Sequence, residues 1–378
     1  MPEPPVERIA TDPVDQAPQS GIALCLSGGG YRAMLFHVGA LWRLYEGQLL
    51  NRIDRVSSVS GGSITAAVLA LKWERLSFNP ARLKTDFVPM VVDPLRRLAG
   101  TTIDAGAIVL GLVFPGRVSS RVARAYDKHL FHGATLQDLP NTPLFVLNAT
   151  NIQSGALWRF MKPYMRDFRV GEVRNPAIPL AHAVAASSAF PPVLSPFEMR
   201  LDESAFTPAS GTDLQRKPFT TRILLADGGV YDNLGLETAW KRYLTILVSD
   251  GGGKMEAEAE PKSDWARHSY RVLNLIDNQV RSLRKRQLID SYITGVRTGA
   301  YWGVRTNIAD YNLASSLPCP LPQTLALAEI PTRLKRVPDV LQERLINWGY
   351  AVCDAALRAH VDPTLAEPAG FPFPDRGV

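Results

Sequence analysis

Three short, mostly apolar runs in this chain each end in a cluster of small residues, and that pattern constrains the fold more than any other feature. Ile22-Ala23-Leu24-Cys25-Leu26 leads into Gly28-Gly29-Gly30-Tyr31-Arg32. Ile53-Asp54-Arg55-Val56 leads into Ser58-Val59-Ser60-Gly61-Gly62, and Ile223-Leu224-Leu225-Ala226 into Asp227-Gly228-Gly229. Apolar runs of this length closed by turn residues read as buried strands. The first two are followed by helical patterns, over 31–47 (Met34, Val38, Leu41 and Leu44 at steps of three or four) and over 63–76. Strand, small-residue loop and helix in repetition predict an α/β fold, a mainly parallel central sheet with helices on both faces. In such sheets the chemistry gathers beyond the strand ends, where all three clusters lie.

The rest of the chain extends the pattern. Residues 144–150 read as a strand, with a turn at Gln153-Ser154-Gly155 and a hairpin partner over 156–161. Residues 182–189 form a short helix stopped by Pro191-Pro192, and 243–249 a further strand. Helices are expected over 265–292 and 338–360, joined by a proline-studded stretch. No linker or repeat divides the chain. One domain is expected over 21–360, with mobile ends at 1–20 and 361–378 on their proline content and polarity.

Composition narrows the classes further. The net charge of +6 is thinly spread, and no zinc spacing, RNA-binding signature or basic-helix heptad accompanies it, so no nucleic-acid partner is expected. Three cysteines (Cys25, Cys319, Cys353) make no even framework, which favours a reducing, cytoplasmic location. The start lacks the apolar core of a signal peptide or anchor, and no run reaches the roughly 18 apolar residues of a spanning helix. The apolar stretch 105–115 is too short to span. It is either a buried segment or an apolar wall beside a lipid-binding cleft, with 105–114 as the candidate wall.

The chemistry is read motif by motif. Ser60 stands where a strand must turn sharply into a helix, flanked two positions either side by Ser58 and Gly62, in the manner of the Gly-x-Ser-x-Gly elbow that exposes a nucleophile. The following helix aims its N-terminal amides at the same spot. Gly28, Gly29 and Gly30 leave backbone amides unshielded, able to cradle a negative oxygen. Dinucleotide binding is disfavoured, because Ala33 occupies the third-glycine position and no Walker lysine follows. Arg32 either braces this loop or meets an anionic headgroup. Asp227, at a strand end beside two glycines, can approach another loop as a base must approach its serine. His37, His129, His132, His182, His268 and His360 are the histidines. Only His268 and His360 follow Asp227, so a Ser-Asp-His order is formally open. Asp232 and Asn233 are read first as caps of a helix starting near Leu234 and second as residues shaping the site, and Arg281, Arg284, Lys285 and Arg286 as a solvated helical face or a contact for anionic lipid. No cluster has metal-ligand spacing and no cofactor is expected.

The order and content of these blocks resemble the patatin-like phospholipase family. The likeness extends to residues 183–192 (Ala-Val-Ala-Ala-Ser-Ser-Ala-Phe-Pro-Pro), to residues 148–155, and to residues 227–235 (Asp-Gly-Gly-Val-Tyr-Asp-Asn-Leu-Gly), and is close over 21–251. It implies the family's three-layer α/β fold and a serine acyl hydrolase of phospholipase A type, acting on a phospholipid or other lipid ester at transient membrane-surface contact. It implies a Ser-Asp dyad in place of a triad: Ser60 as nucleophile, Asp227 as base, and amides of Gly28, Gly29, Gly30 and Gly61 as the oxyanion hole. Ser58 and Ala33 depart from the family's glycines, and both are small. A histidine-based esterase for soluble esters and a non-catalytic lipid-binding protein are the alternatives.

Overall fold

The computed structural model describes residues 18–103 and 117–378. Its strands are β1 (Gln19–Leu26), β2 (Arg55–Val59), β3 (Leu144–Asn151), β4 (Ala156–Phe160), β5 (Tyr164–Asp167), β6 (Gly171–Arg174), β7 (Phe197–Arg200), β8 (Arg222–Asp227), β9 (Tyr243–Asp250) and β10 (Thr298–Gly303). They form one sheet in the order β10-β9-β1-β2-β3-β4-β5-β6, with β8 also on β3 and β7 on β8. Pairing is parallel from β10 to β3. It is antiparallel beyond. The change begins where the turn at Gly155 folds β4 straight back on β3, since a short connection can join only antiparallel neighbours.

Side chains of β1 alternate between two cores. Leu24 and Leu26 join the larger one, while Ala23 and Cys25 join a smaller one with Ile246 and Val248 of β9. A strand apolar on both faces needs cover on both, and helices supply it. The helices used below are α1 (Gly30–Glu46), α2 (Gly61–Lys72), α3 (Leu180–Ser187), α4 (Gly229–Asp232), α5 (Glu237–Trp240), α6 (Trp265–Ile293) and α7 (Asp339–His360).

Helix α1 is buried from Gly30 to Tyr45. Its backbone meets that of α7 so closely that a Cβ on Gly39 would strike Ile346 O, and one on Gly349 would strike Phe36 O. Arg43, buried in this contact, pairs with Asp354 at 2.8 Å, and Arg358 takes the other carboxylate oxygen at 3.0 Å. The α1–α7 pair fixes where α1 begins, and therefore where the glycine loop sits.

Residues 361–378, expected to be mobile, pack along α7 instead. The Asn347 side-chain amide donates to Phe373 O (2.8 Å) and Gly377 O (2.7 Å), Arg376 pairs with Glu343, and Val378 is buried. A buried side-chain amide needs partners, and the tail's carbonyls provide them. Of the expected mobile start, residues 1–17 lie outside the described residues, and Gln19 and Ser20 already belong to β1. The 105–115 stretch also lies outside them. No helix among the described residues is long and apolar enough to cross a membrane.

Candidate active site

Strand register brings two of the three clusters together. β2 pairs along one side of β3 and ends with Val59 opposite Asn148. From Ala149 to Asn151, β8 pairs with β3 in the opposite direction, and Asp227 stands across from Ala149. The other side of this stretch is taken by β4. β2 and β8 therefore share one lane and meet end to end, so Ser60 and Asp227 face each other across the junction. Helix α3 pins both: Ser187 Oγ accepts from Ser60 N (3.1 Å), Ser187 O accepts from Gly228 N (3.2 Å), and Ala189 O accepts from Asp227 N (2.9 Å).

Ser60 holds φ 52° and ψ −119°, a conformation costly for any residue with a Cβ. The turn survives because its neighbours leave no room for alternatives. A Cβ on Gly62 would strike Leu26 O, and one on Gly61 would strike Gly30 O. Ser58, in place of an elbow glycine, is buried and bonded to Ser63 Oγ (3.0 Å) and Val146 O (3.2 Å). The strain lifts the Ser60 side chain to the edge of the cleft.

The glycine loop divides its labour. Gly28 N donates to Asn233 O at 3.0 Å, so Gly28, expected among the oxyanion donors, has its amide already spent. Gly62 N is likewise bonded, to Ser27 O. The amides of Gly29, Gly30 and Gly61 find no acceptor among the described residues. Gly29 has φ 145°, where a side chain would be strained, and a Cβ there would lie 2.7 Å from Gly251 O. Arg32 is the brace and not a headgroup contact. Its guanidinium donates to Gly251 O, Ala328 O, Ile330 O and Thr332 Oγ1 at 2.6–3.2 Å.

Asp227 is almost fully buried, and burial pushes its carboxyl up to about 7. The Gly229 amide (2.7 Å to Oδ1) and the Ser60 hydroxyl pull against that rise, while Asp277 adds to it. Oδ2 is buried without a hydrogen-bond partner. A carboxyl poised near neutrality beside a serine can exchange a proton with it.

No histidine is among the described residues lining the cleft. His268 and His360 are exposed on α6 and at the end of α7. His37 is buried beneath the loop, its Nε2 2.9 Å from Ser27 O and its Nδ1 2.8 Å from Ser249 Oγ. A carbonyl only accepts, so Nε2 carries the proton and Nδ1 accepts from the serine. Burial lowers this imidazole to about 4, which keeps it neutral. Among the described residues no group of acidic, histidine or cysteine side chains could hold a metal ion.

The cleft holds about 950 Å³ and has two unlike walls. Phe190, Pro191, Pro192, Val193 and Leu194 form an apolar one. The other is the polar face of α6: Arg267, Arg271, Asn274, Asp277, Asn278 and Arg281. Arg271 pairs with Glu258 at 2.7 Å. Arg281 lies against Gly252 and faces Asp250 and Asp277, yet makes no ion pair or hydrogen bond among the described residues. Sequence reasoning missed Ser187 and, apart from Arg281, this wall. Asn233, read first as a helix cap, instead sits with its side chain between Gly28 and Gly229 and lines the cleft. Asp232, read the same way, accepts from Leu234 N and Glu237 N and so caps the turn into α5. The signal for α6 was present in its arginine spacing, but only the fold shows which side faces the serine.

The fold and site define an α/β protein with a strand–serine–helix elbow opposite a buried aspartate. A sequence model described as patatin-like phospholipase matches residues 24–240, more than half the chain, and the chain belongs to that family. Among solved structures, human GIVD cytosolic phospholipase A2 in complex with methyl gamma-linolenyl fluorophosphonate superposes with a TM-score of 0.50 at 14% identity, over 90% of this chain and 59% of that one. Another structure of the same human protein gives 0.40 at 14% identity, over 66% and 51%. VipD from Legionella pneumophila gives 0.36 at 15% identity, over 90% and 67%. The chain thus spans between half and three-fifths of the length of these two human structures. No curated protein matches it in sequence.

Proposed function

We propose that this protein is a phospholipid acyl hydrolase working through a Ser60–Asp227 dyad. The observation that carries the reading is the end-to-end meeting of β2 and β8, which sets a strained serine opposite a buried carboxyl with a free oxygen. Ser60 Oγ attacks the ester carbonyl carbon as its proton passes to Asp227. The carbonyl oxygen becomes an oxyanion, received by the unpaired amides of Gly29, Gly30 and Gly61 and favoured by the N-terminus of α2. Collapse expels the alcohol, which takes the proton from Asp227. Water then gives a proton to Asp227 and attacks the acyl-serine, releasing the fatty acid and restoring Ser60. Preorganised donors of this kind are worth about 3 kcal/mol each in the transition state.

The two walls of the cleft support an amphiphilic substrate. An acyl chain suits the Phe190–Leu194 side, and a phosphate suits unpaired Arg281. Among described lining residues, six Lys and Arg face four Asp and Glu, so the cleft favours an anion. The free, buried cysteines fit work in a reducing compartment, at the cytoplasmic side of a membrane.

Hydrolysis of phosphatidylglycerol vesicles by the wild type, Ser60→Ala and Asp227→Asn tests the reading. Each variant is expected to lose about a thousandfold or more, and the double variant little beyond either single, because the two act as one unit. Undiminished turnover in Ser60→Ala would overturn it. Full activity on short soluble esters with none on lipid would move the substrate to the soluble-esterase reading.

A further inference from the structure

Helix α6 is amphipathic the wrong way round for a helix on a globular protein. Its polar face lines the cleft, through Arg267, Arg271, Asn274, Asn278 and Arg281. Its apolar residues point to solvent: Trp265 is 83% exposed, Leu273 58%, Ile276 54% and Leu283 57%, with Val272 and Leu275 also exposed. At 100° per residue these side chains and Val280 fill an arc of roughly 160°, over the first 19 residues of the helix, about 28 Å. Its buried residues, Leu288 and Ser291, lie at the far end, where the Tyr292 hydroxyl donates to Ile246 O at 2.6 Å. Nearer the start it is tied down by polar pairs, Arg271 to Glu258 and Arg284 to Glu237. An arc this broad ordinarily faces a core. Here it has none.

We propose that the outer face of α6 lies in the surface of an anionic lipid bilayer, so that substrate enters the cleft around that helix. The inference rests on the phospholipid reading above and adds where the membrane sits. Three observations favour a bilayer over a second copy of the chain. The arc is wider than the narrow seam through which two helices pair, and the one uninterrupted heptad seam, Leu273-Ile276-Val280-Leu283, covers only two heptads. The helix carries six Lys and Arg against Asp277 and Asp290. Arg267, Arg271 and Arg284 are paired with Asp264, Glu258 and Glu237, Lys285 lies over Tyr301 and Arg281 lines the cleft. Exposed Arg286 and His268 stand within the arc itself and complement anionic headgroups. The reverse side of the same helix is the cleft wall, so a bilayer on the outer face lies against the mouth that must receive its lipid. An exposed tryptophan among apolar side chains and a basic opposite face are what a helix lying in the interface carries.

The test uses the full chain with Ser60→Ala added, so that binding is measured without turnover. Partitioning onto vesicles of phosphatidylglycerol and phosphatidylcholine is compared for this protein and for the same protein carrying Leu273→Ser, Ile276→Ser and Leu283→Ser. The triple change is expected to weaken binding tenfold or more. In the Ser60-intact background it should cut vesicle-lipid hydrolysis by a similar factor and leave a short soluble ester hydrolysed as before. That last readout also shows the variant folded. Equal vesicle binding by both proteins would overturn the proposal, as would no vesicle binding by the parent. A parent that is dimeric by light scattering and becomes monomeric on the triple change would also overturn it, assigning the face to a second copy. Failure of the catalytic reading looks different: Ser60→Ala would then still hydrolyse ester, whatever α6 does.

Discussion

Helices α1 and α6 both border the cleft, and they are built on opposite terms. Every residue of α1 from Gly30 to Tyr45 is buried, and its arginines and its histidine are bonded. Arg32 is bonded to four acceptors, His37 to two, and Arg43 to Asp354 and Ala366 O. In α6 only Leu288 and Ser291 are buried. Precision at the glycine loop needs a helix with one possible position, and α1 is gripped by α7, the sheet and the 328–333 loop. Helix α6 carries no such burden, so its sequence is free to serve surfaces, one facing the cleft and one facing outward. The lesson is that burial marks what fixes the geometry, and misplaced exposure marks what meets a partner.

If the contrast is right, the largest effect belongs to α1. Gly39→Val would force α1 away from Ile346 and Tyr350 and is expected to destabilise by more than about 4 kcal/mol, read as a collapse of the urea midpoint. Tolerance of that change would break the comparison outright.

Asp227→Asn should act in the opposite sense, losing activity and gaining stability. The folded carboxyl sits at about 7, against an ordinary 3.8, so below 3.8 both states are protonated and nothing is lost. As pH rises from 3.8 through 7 the unfolded chain ionises first, and stability falls by up to about 4 kcal/mol. The asparagine variant escapes that fall, so its advantage in denaturant melts should grow with pH and level off above 7. Over the same range kcat/KM of the wild type on lipid should climb and flatten near pH 7, as the base ionises.

His37 sharpens the picture from the acid side. Its folded value of about 4 lies below the ordinary 6.5, so the unfolded chain takes up a proton first as pH falls. Stability should therefore drop by up to about 3 kcal/mol between pH 6.5 and 4. His37→Gln, which keeps one donor for Ser27 O and one acceptor for Ser249, should flatten that limb of the pH–stability curve.

The smallest effect is expected on α6. Leu273→Ser should leave thermal stability within about 0.5 kcal/mol of wild type, because the side chain is mostly exposed. A large destabilisation there would mean that α6 is held as tightly as α1.

Much of this was legible in the residues because local signals and the fold agreed. The runs before Gly28, Ser60 and Asp227 are strands β1, β2 and β8, and the long patterns from residues 265 and 338 are α6 and α7. Strand β2 runs from Arg55 past the end of the apolar run to Val59, because Ser57 and Ser58 are small enough to be buried in it while bonding to neighbours. Strands β5, β6 and β7 left little trace, being four residues each with charged side chains on their exposed faces. β10 left little strand pattern because glycine stands near each end of it, and one is required there: a Cβ on Gly299 would strike Ile246 O of β9. The docked tail was unreadable for another reason: its anchor, Asn347, lies on a helix, far from the residues it holds. Long-range pairing likewise decided the site. Nothing in residues 53–62 or 222–229 alone says that their strands share a lane on β3.

The most direct test of the central claim is covalent. A long-chain fluorophosphonate should react once per chain, and peptide mass spectrometry should find the adduct on Ser60. Labelling should slow sharply in Asp227→Asn and vanish in Ser60→Ala. An adduct on any other residue, or a wild type that hydrolyses lipid while Ser60 stays unlabelled, would contradict the account.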